Sequence, residues 1–269
     1  LESLKSKLHA LYLFMLAVAA IVIFALIVSK NEMGEQLNFL EENNVSFNIN
    51  DKTVHGNEIS VTFRGEERPE QQDAIRSLLP HTNGVLHATT AFGKTVTAAA
   101  IIARKRVNTL ILVHSKALLS QWHERLTEFL DIDYVEPVSQ KKRGRRKAFS
   151  PIGCLDSTGN TLHGIVDIAL IQSCLDNDGV KPFVQDYGMV IVDECHHVSS
   201  VTFECVLKSI KAHTVYGLTA TPIRQDGHQP IIFMQCGPIR FSADAKSQIA
   251  RQNFDRYLIP RFTSYRPVT

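Results

Sequence analysis

Short unbroken apolar runs alternate along this chain of 269 residues with stretches whose apolar positions fall at helical spacing. The runs are Gly84-Val85-Leu86-His87-Ala88, Leu110-Ile111-Leu112-Val113, Ile165-Val166-Asp167-Ile168-Ala169-Leu170-Ile171, Met189-Val190-Ile191-Val192 and the segment from His213 to Thr219. Apolar runs of this length without polar alternation are the pattern of strands covered on both faces. Val96 to Ala103 and Val201 to Ile210 read as helices, a strand at Leu110 feeds another through Trp122, and Pro69 stands near the first turn of a further one. Strands alternating with helices predict an α/β fold, a doubly wound parallel sheet with its ligand at the C-terminal edge of the strands. Upstream the pattern changes: Gly34 to Glu42 has helical spacing, whereas Val45 to Ile49 and Ile59 to Phe63 alternate as half-exposed strands do, which predicts a small α+β accessory unit.

The first residues follow a third pattern. Leu11 to Ser29 carries no charge and is apolar on every face; at ~1.5 Å per residue it forms a helix of roughly 28 Å, close to a bilayer core. Lys5 and Lys7 precede it, and Glu32, Glu35, Glu41 and Glu42 follow, a bias that would send the rest of the chain out of the cytoplasm. Several readings stand: a membrane anchor that defies this bias, an N-terminus foreign to the rest of the chain through gene fusion or truncation, or a buried helix of the fold. A secretory signal fits less well, because no small-residue cleavage site follows cleanly. The chain opens on a leucine, as a fragment would. The expected organisation is an apolar helix over 1–32, the accessory unit over 33–65, the main α/β domain over 66–240 and a linker over 241–269.

Composition narrows the class. With 44% hydrophobic and 21% charged residues and a net charge of +2, the chain is globular and no polyelectrolyte, so any nucleic-acid surface is local. Five cysteines without a C-x-x-C pair predict reduced thiols in a cytosolic protein, and Cys195-His196-His197 lacks a partner pair for zinc.

The chemistry sits where apolar strands end. Ala88-Thr89-Thr90-Ala91-Phe92-Gly93-Lys94-Thr95 joins a strand to a helix, the layout of a phosphate cradle: amides and the helix dipole face the anion, Lys94 reaches the β- and γ-phosphates, and Thr95 ligates Mg²⁺. Asp193 and Glu194 end another strand. There Asp193 would hold Mg²⁺ and Glu194 would deprotonate the attacking water, with ATP as the guest. Thr219-Ala220-Thr221 ends a third.

In this order A-x-x-x-x-G-K-T, Asp193-Glu194-Cys195-His196 and Thr219-Ala220-Thr221 resemble motifs I, II and III of superfamily 2 nucleic-acid helicases. Thr221-Pro222-Ile223-Arg224 and Cys236-Gly237-Pro238-Ile239-Arg240 narrow the resemblance to the XPB and type III restriction branch, and most to the helicase module of the TOTE primase-helicases, over roughly residues 34–269. The resemblance implies a RecA-like ATP-binding lobe, Gln71 as the reader of the adenine edge, and His196, Thr219 and Thr221 as couplers of nucleotide to motion. It further implies nucleic-acid contacts by Ser115, Lys116, Gln172 and Ser173. The basic stretch Lys141, Lys142, Arg143, Arg145 and Arg146 suits phosphate contact as well, or a solvated loop.

Complete motors of this superfamily have a second RecA-like lobe that supplies arginine fingers. This sequence stops near where that lobe would begin. Another chain would then supply the lobe, or it has been lost. The expected function is ATP hydrolysis coupled to translocation or unwinding of nucleic acid, DNA ahead of RNA, in the cytoplasm with or without an anchor at 11–29; the alternative is a silent nucleic-acid- or partner-binding remnant.

Overall fold

A computed structural model describes Glu42 and residues 51–134, 150–196, 201–221, 233 and 235–243. The apolar run at 11–29, nearly all of 33–50, the basic stretch at 141–147 and the stretch beyond 243 lie outside these residues. None of the described helices is long and apolar enough to cross a membrane.

The described strands are β1 (Val61–Phe63), β2 (Asn83–His87), β3 (Thr109–Val113), β4 (Leu130–Ile132), β5 (Ile152–Asp156), β6 (Gly159–Asn160), β7 (Val166–Leu170), β8 (Leu175–Asp176), β9 (Gly179–Val180), β10 (Met189–Asp193), β11 (Thr214–Thr219) and β12 (Ile239–Ser242). Among the described residues four whole helices accompany them: α1 (Pro69–Leu78), α2 (Lys94–Lys105), α3 (Lys116–Phe129) and α4 (Val201–Ser209). The main sheet runs β12-β2-β11-β10-β3-β7-β5-β6 and is parallel except for the β5–β6 pair. Each apolar run named above forms one of its strands. β12 straddles the boundary drawn at 240 and extends the sheet beside β2.

Alternation along each strand divides the core into two layers. Ile111, Val113, Ile191, Tyr216 and Leu218 face a layer completed by Ile75 and Leu78 of α1, Ile101 and Ile102 of α2, and Trp122 and Leu126 of α3. Leu110, Leu112, Val190, Val192 and Val215 face the opposite layer, closed by Val184, Tyr187 and Phe203, Val206 and Leu207 of α4. The alanine-rich middle of α2 is buried throughout, from Thr97 to Ala103, and its small side chains let it seat against the sheet and against α1 and α3. From the accessory stretch, β1 pairs antiparallel with β4, and Ile59 N–H donates to the carbonyl of Arg106 at 2.9 Å, so this segment is pinned to the main domain.

Chain order and sheet order differ in a way that creates a cleft. β2 and β10 are next-but-one neighbours with β11 between them, so the segments leaving all three strands meet at one C-terminal edge. Crevices at that edge are where open α/β sheets take ligands.

Candidate nucleotide site

The segment after β2 makes a single 3-10 turn over Thr90–Phe92 and enters α2 through Gly93. Gly93 sits at φ +85, and a Cβ there would stand 2.6 Å from Gln71 Nε2. Glycine is therefore required on both counts, backbone and space. Two residues of the α1 start grip the turn. Gln71, only 3% exposed, donates from Nε2 to the Phe92 carbonyl at 2.9 Å while its Oε1 accepts the Arg68 N–H at 2.9 Å. The Arg68 guanidinium donates to the carbonyls of Phe92 and, at 3.3 Å, Ala91. Ala88 is buried, and its N–H donates to the Thr219 carbonyl at 2.9 Å, tying the turn to the third motif. Thr89 and Gly93 are half-buried and Ala91 exposed.

Opposite the turn, β10 delivers its acids. Successive side chains of a strand point to opposite faces. Glu194 breaks that rule by adopting a left-handed conformation at φ 47 directly after the strand. As a result Asp193 and Glu194 both line a cavity of about 330 Å³, together with Gly93, Lys94 and Thr95 on one side and Leu118, Gln121, Trp122, Arg125 and Phe129 of α3 on the other. Lys94 Nζ donates to Glu194 Oε1 at 3.0 Å, in an ion pair almost closed to solvent at the lysine. Asp193 Oδ2 accepts the Trp122 indole N–H at 2.7 Å and Oδ1 accepts the Glu194 N–H at 3.0 Å. Burial pushes the Asp193 carboxyl above its ordinary value and the Glu194 charge adds to the rise, against the Trp122 N–H, Lys94 and the Glu194 amide.

His196 joins the acids to the third motif: its Nδ1 lies 3.2 Å from Glu194 Oε2 and 3.0 Å from Thr219 Oγ1. Thr219 Oγ1 in turn accepts the Thr221 N–H at 3.1 Å. Between them Cys195 turns into the core, where its sulfur and that of Cys236 would stand 2.9 and 3.2 Å from a Cβ at Gly217. The neighbouring Cys236 thiol, then burial, hold the Cys195 thiol far above its usual value, so it stays protonated and inert.

The other expected contact residues gather on the neighbouring part of the same edge, after the paired strands β3 and β7. Ser115 caps α3, accepting the Leu118 N–H at 3.3 Å. Lys116 reaches Asp156 Oδ2 at 3.4 Å. Gln172 and Ser173 lie in the 3-10 turn Ile171–Cys174 that follows β7. Lys141, Lys142, Arg143, Arg145 and Arg146 lie outside the described residues. The hydrogen bonds of Trp122 and of the Arg68 guanidinium leave no signal in spacing, because each joins residues far apart in the chain.

A strand, a glycine-hinged turn, a buried lysine opening a helix and two acids across the cavity define a RecA-like P-loop lobe. The family model of the type III restriction enzyme res subunit matches residues 64–224, more than half of the chain. The chain belongs to that family, within the XPB and type III restriction branch of superfamily 2 helicases. It is 31% identical over 180 residues to 109L of Invertebrate iridescent virus 3, a protein with a provisional helicase name, covering 66% of this chain and 50% of that one. It is 26% identical over 196 residues to the DNA 3'-5' translocase XPB2 of Sulfurisphaera tokodaii, covering 73% of this chain and 40% of the relative. The fold matches the UvsW helicase of bacteriophage T4 with a TM-score of 0.54 at 17% identity, over 81% of this chain and 82% of that one. The chain thus spans half or less of these two sequence relatives' length.

Proposed function

We propose that this lobe binds ATP with Mg²⁺ and hydrolyses it to drive movement along nucleic acid, with DNA as the preferred track. The observation that carries the reading is the Lys94–Glu194 ion pair beside Asp193 in a cavity of about 330 Å³. The residues fit the guest. The amides opening α2 and the Lys94 ammonium receive phosphate, Gln71 stands at the turn for the base, and Thr95 and Asp193 would hold the metal. Bound Mg²⁺ would neutralise charge developing on the phosphates.

Phosphate arriving at Lys94 takes over the ammonium and releases Glu194. The freed Glu194 Oε1 then orients a water and accepts its proton. His196 bridges Glu194 to Thr219, so a change at the base is passed to the segment leaving β11. Ser115, Lys116, Gln172 and Ser173 offer a polar rim beside it for a nucleic-acid backbone. Dependence on ATP favours a cytoplasmic setting. The alternative of a silent remnant is not favoured, since Lys94, Thr95, Asp193 and Glu194 are present and brought together. Arginine fingers from a second lobe would complete turnover.

The test is Mg²⁺-ATP binding and hydrolysis by the chain, with and without single- and double-stranded DNA and RNA. Lys94→Ala is expected to weaken ATP binding at least tenfold, about 1.4 kcal/mol, while Glu194→Gln binds and fails to hydrolyse. Equal ATP affinity in the parent and Lys94→Ala would refute the assignment.

A further inference from the structure

Trp122 is the only tryptophan of the chain, and it is 1% exposed. A buried indole N–H needs an acceptor, which a backbone carbonyl often supplies. Here the acceptor is Asp193 Oδ2 at 2.7 Å, an acid 71 residues away in sequence and at the mouth of the nucleotide cavity.

The terminal torsion of an aspartate is a broad two-fold rotor. At Asp193 it is fixed by two N–H donors on different elements, the Trp122 indole on α3 and the Glu194 amide just past β10. Each carboxylate oxygen keeps further acceptor capacity for a metal or its water. Trp122 is itself held by the apolar layer under α3, with Leu126 and Ile111 in the same cluster. The rigidity of the core is thereby transmitted to one oxygen of the acid.

We propose that Trp122 is a positioning residue for the divalent cation: its indole N–H holds Asp193 in the orientation that receives the metal accompanying the nucleotide. This rests on the nucleotide reading above. Groups that orient a metal-binding side chain typically change metal affinity by about 10- to 100-fold when removed.

Because Trp122 is the sole tryptophan, a tryptophan-auxotrophic host fed 3-benzothienylalanine exchanges it alone, replacing the N–H with sulfur on a ring of nearly the same size. A second preparation carries 7-azatryptophan, which retains the N–H. The readout is the Mg²⁺ concentration that half-saturates the tightening of ATP binding, beside ATP binding in EDTA. The benzothienyl protein is expected to need about tenfold more Mg²⁺, with metal-free binding unchanged, and the 7-aza protein to match the parent. Trp122→Phe should behave as the benzothienyl protein does. A benzothienyl protein whose Mg²⁺ titration overlays the parent's, or whose metal-free binding falls in parallel, overturns the proposal and leaves the nucleotide site standing. A parent that binds no Mg²⁺-ATP overturns both.

Discussion

Asp167 and Asp193 are both buried acids on neighbouring parts of one sheet, and they illustrate two ways of keeping a carboxylate out of water. Asp167, at the start of β7, is saturated: the His163 N–H reaches Oδ1 at 3.0 Å and Oδ2 at 3.2 Å, and Oδ2 also accepts the Gly164 N–H and the Tyr187 hydroxyl, each at 2.6 Å. A Cβ at Gly153 would strike its Oδ1 at 2.0 Å. Asp193, at the end of β10, has one donor per oxygen and opens on a cavity that also holds a lysine and a second acid. Full satisfaction makes a charge part of the framework; partial satisfaction beside a cavity leaves it available for chemistry.

The sharpest test of that contrast is the same substitution at both places. Asp167→Asn turns an amide NH₂ toward the His163 or Gly164 backbone N–H, which can only donate, and should destabilise the fold by about 3 kcal/mol. At roughly 2–4 °C per kcal/mol that lowers the melting temperature by about 6–12 °C. Asp193→Asn should change stability by less than about 1 kcal/mol, since losing a desolvated charge offsets the mismatched hydrogen bond. It should nonetheless abolish the Mg²⁺ dependence of ATP binding. Paired thermal melts and Mg²⁺ titrations check both, and equal stability losses would collapse the distinction.

Removing one donor gives a smaller effect with the same logic. Tyr187→Phe should cost about 1–2 kcal/mol in denaturant unfolding and leave Mg²⁺-ATP affinity as it was.

Smallest of all is the effect at a half-buried acid at the edge of the sheet. Asp156 Oδ1 accepts the Thr158 N–H at 2.7 Å, its hydroxyl at 2.6 Å and the Gly159 N–H at 3.1 Å, between β5 and β6. The Thr158 donors pull its carboxyl from 3.8 down to about 2. A carboxyl lowered on folding stabilises the fold above its unfolded value, and that contribution fades as pH falls from 3.8 through about 2. Asp156→Asn should flatten this acid limb of the melting curve and lower stability slightly across the neutral range, where the carboxylate's contribution is fully present.

The strands were legible in the sequence because burial on both faces leaves no polar position to confuse the period, as in Met189 to Asp193. The ends of those strands were legible too, since Lys94, Asp193 and Glu194 interrupt apolar runs at points where a turn must follow. What stayed hidden depends on pairing across the sheet. β12 follows a glycine–proline pair and carries Arg240, so nothing in its own residues announces a strand beside β2. Gln71 is proposed for the base, and its spacing did not disclose that its amide also joins the Arg68 N–H to the Phe92 carbonyl. Lys116 read as a phosphate contact, and its nearest charge is Asp156. A one-dimensional pattern reports which side chains are buried or charged and says little about which of them meet.

The Lys94–Glu194 pair makes the cradle its own competitor. Under the proposed function a nucleotide entering it would displace an anion that the protein already carries, so the affinity measured would be a difference between two occupants rather than the strength of one. On that reading the displacement would also impose a sequence in time: Glu194 would stay muzzled as a base until the phosphate arrived, and the cleft could not be armed ahead of its cargo.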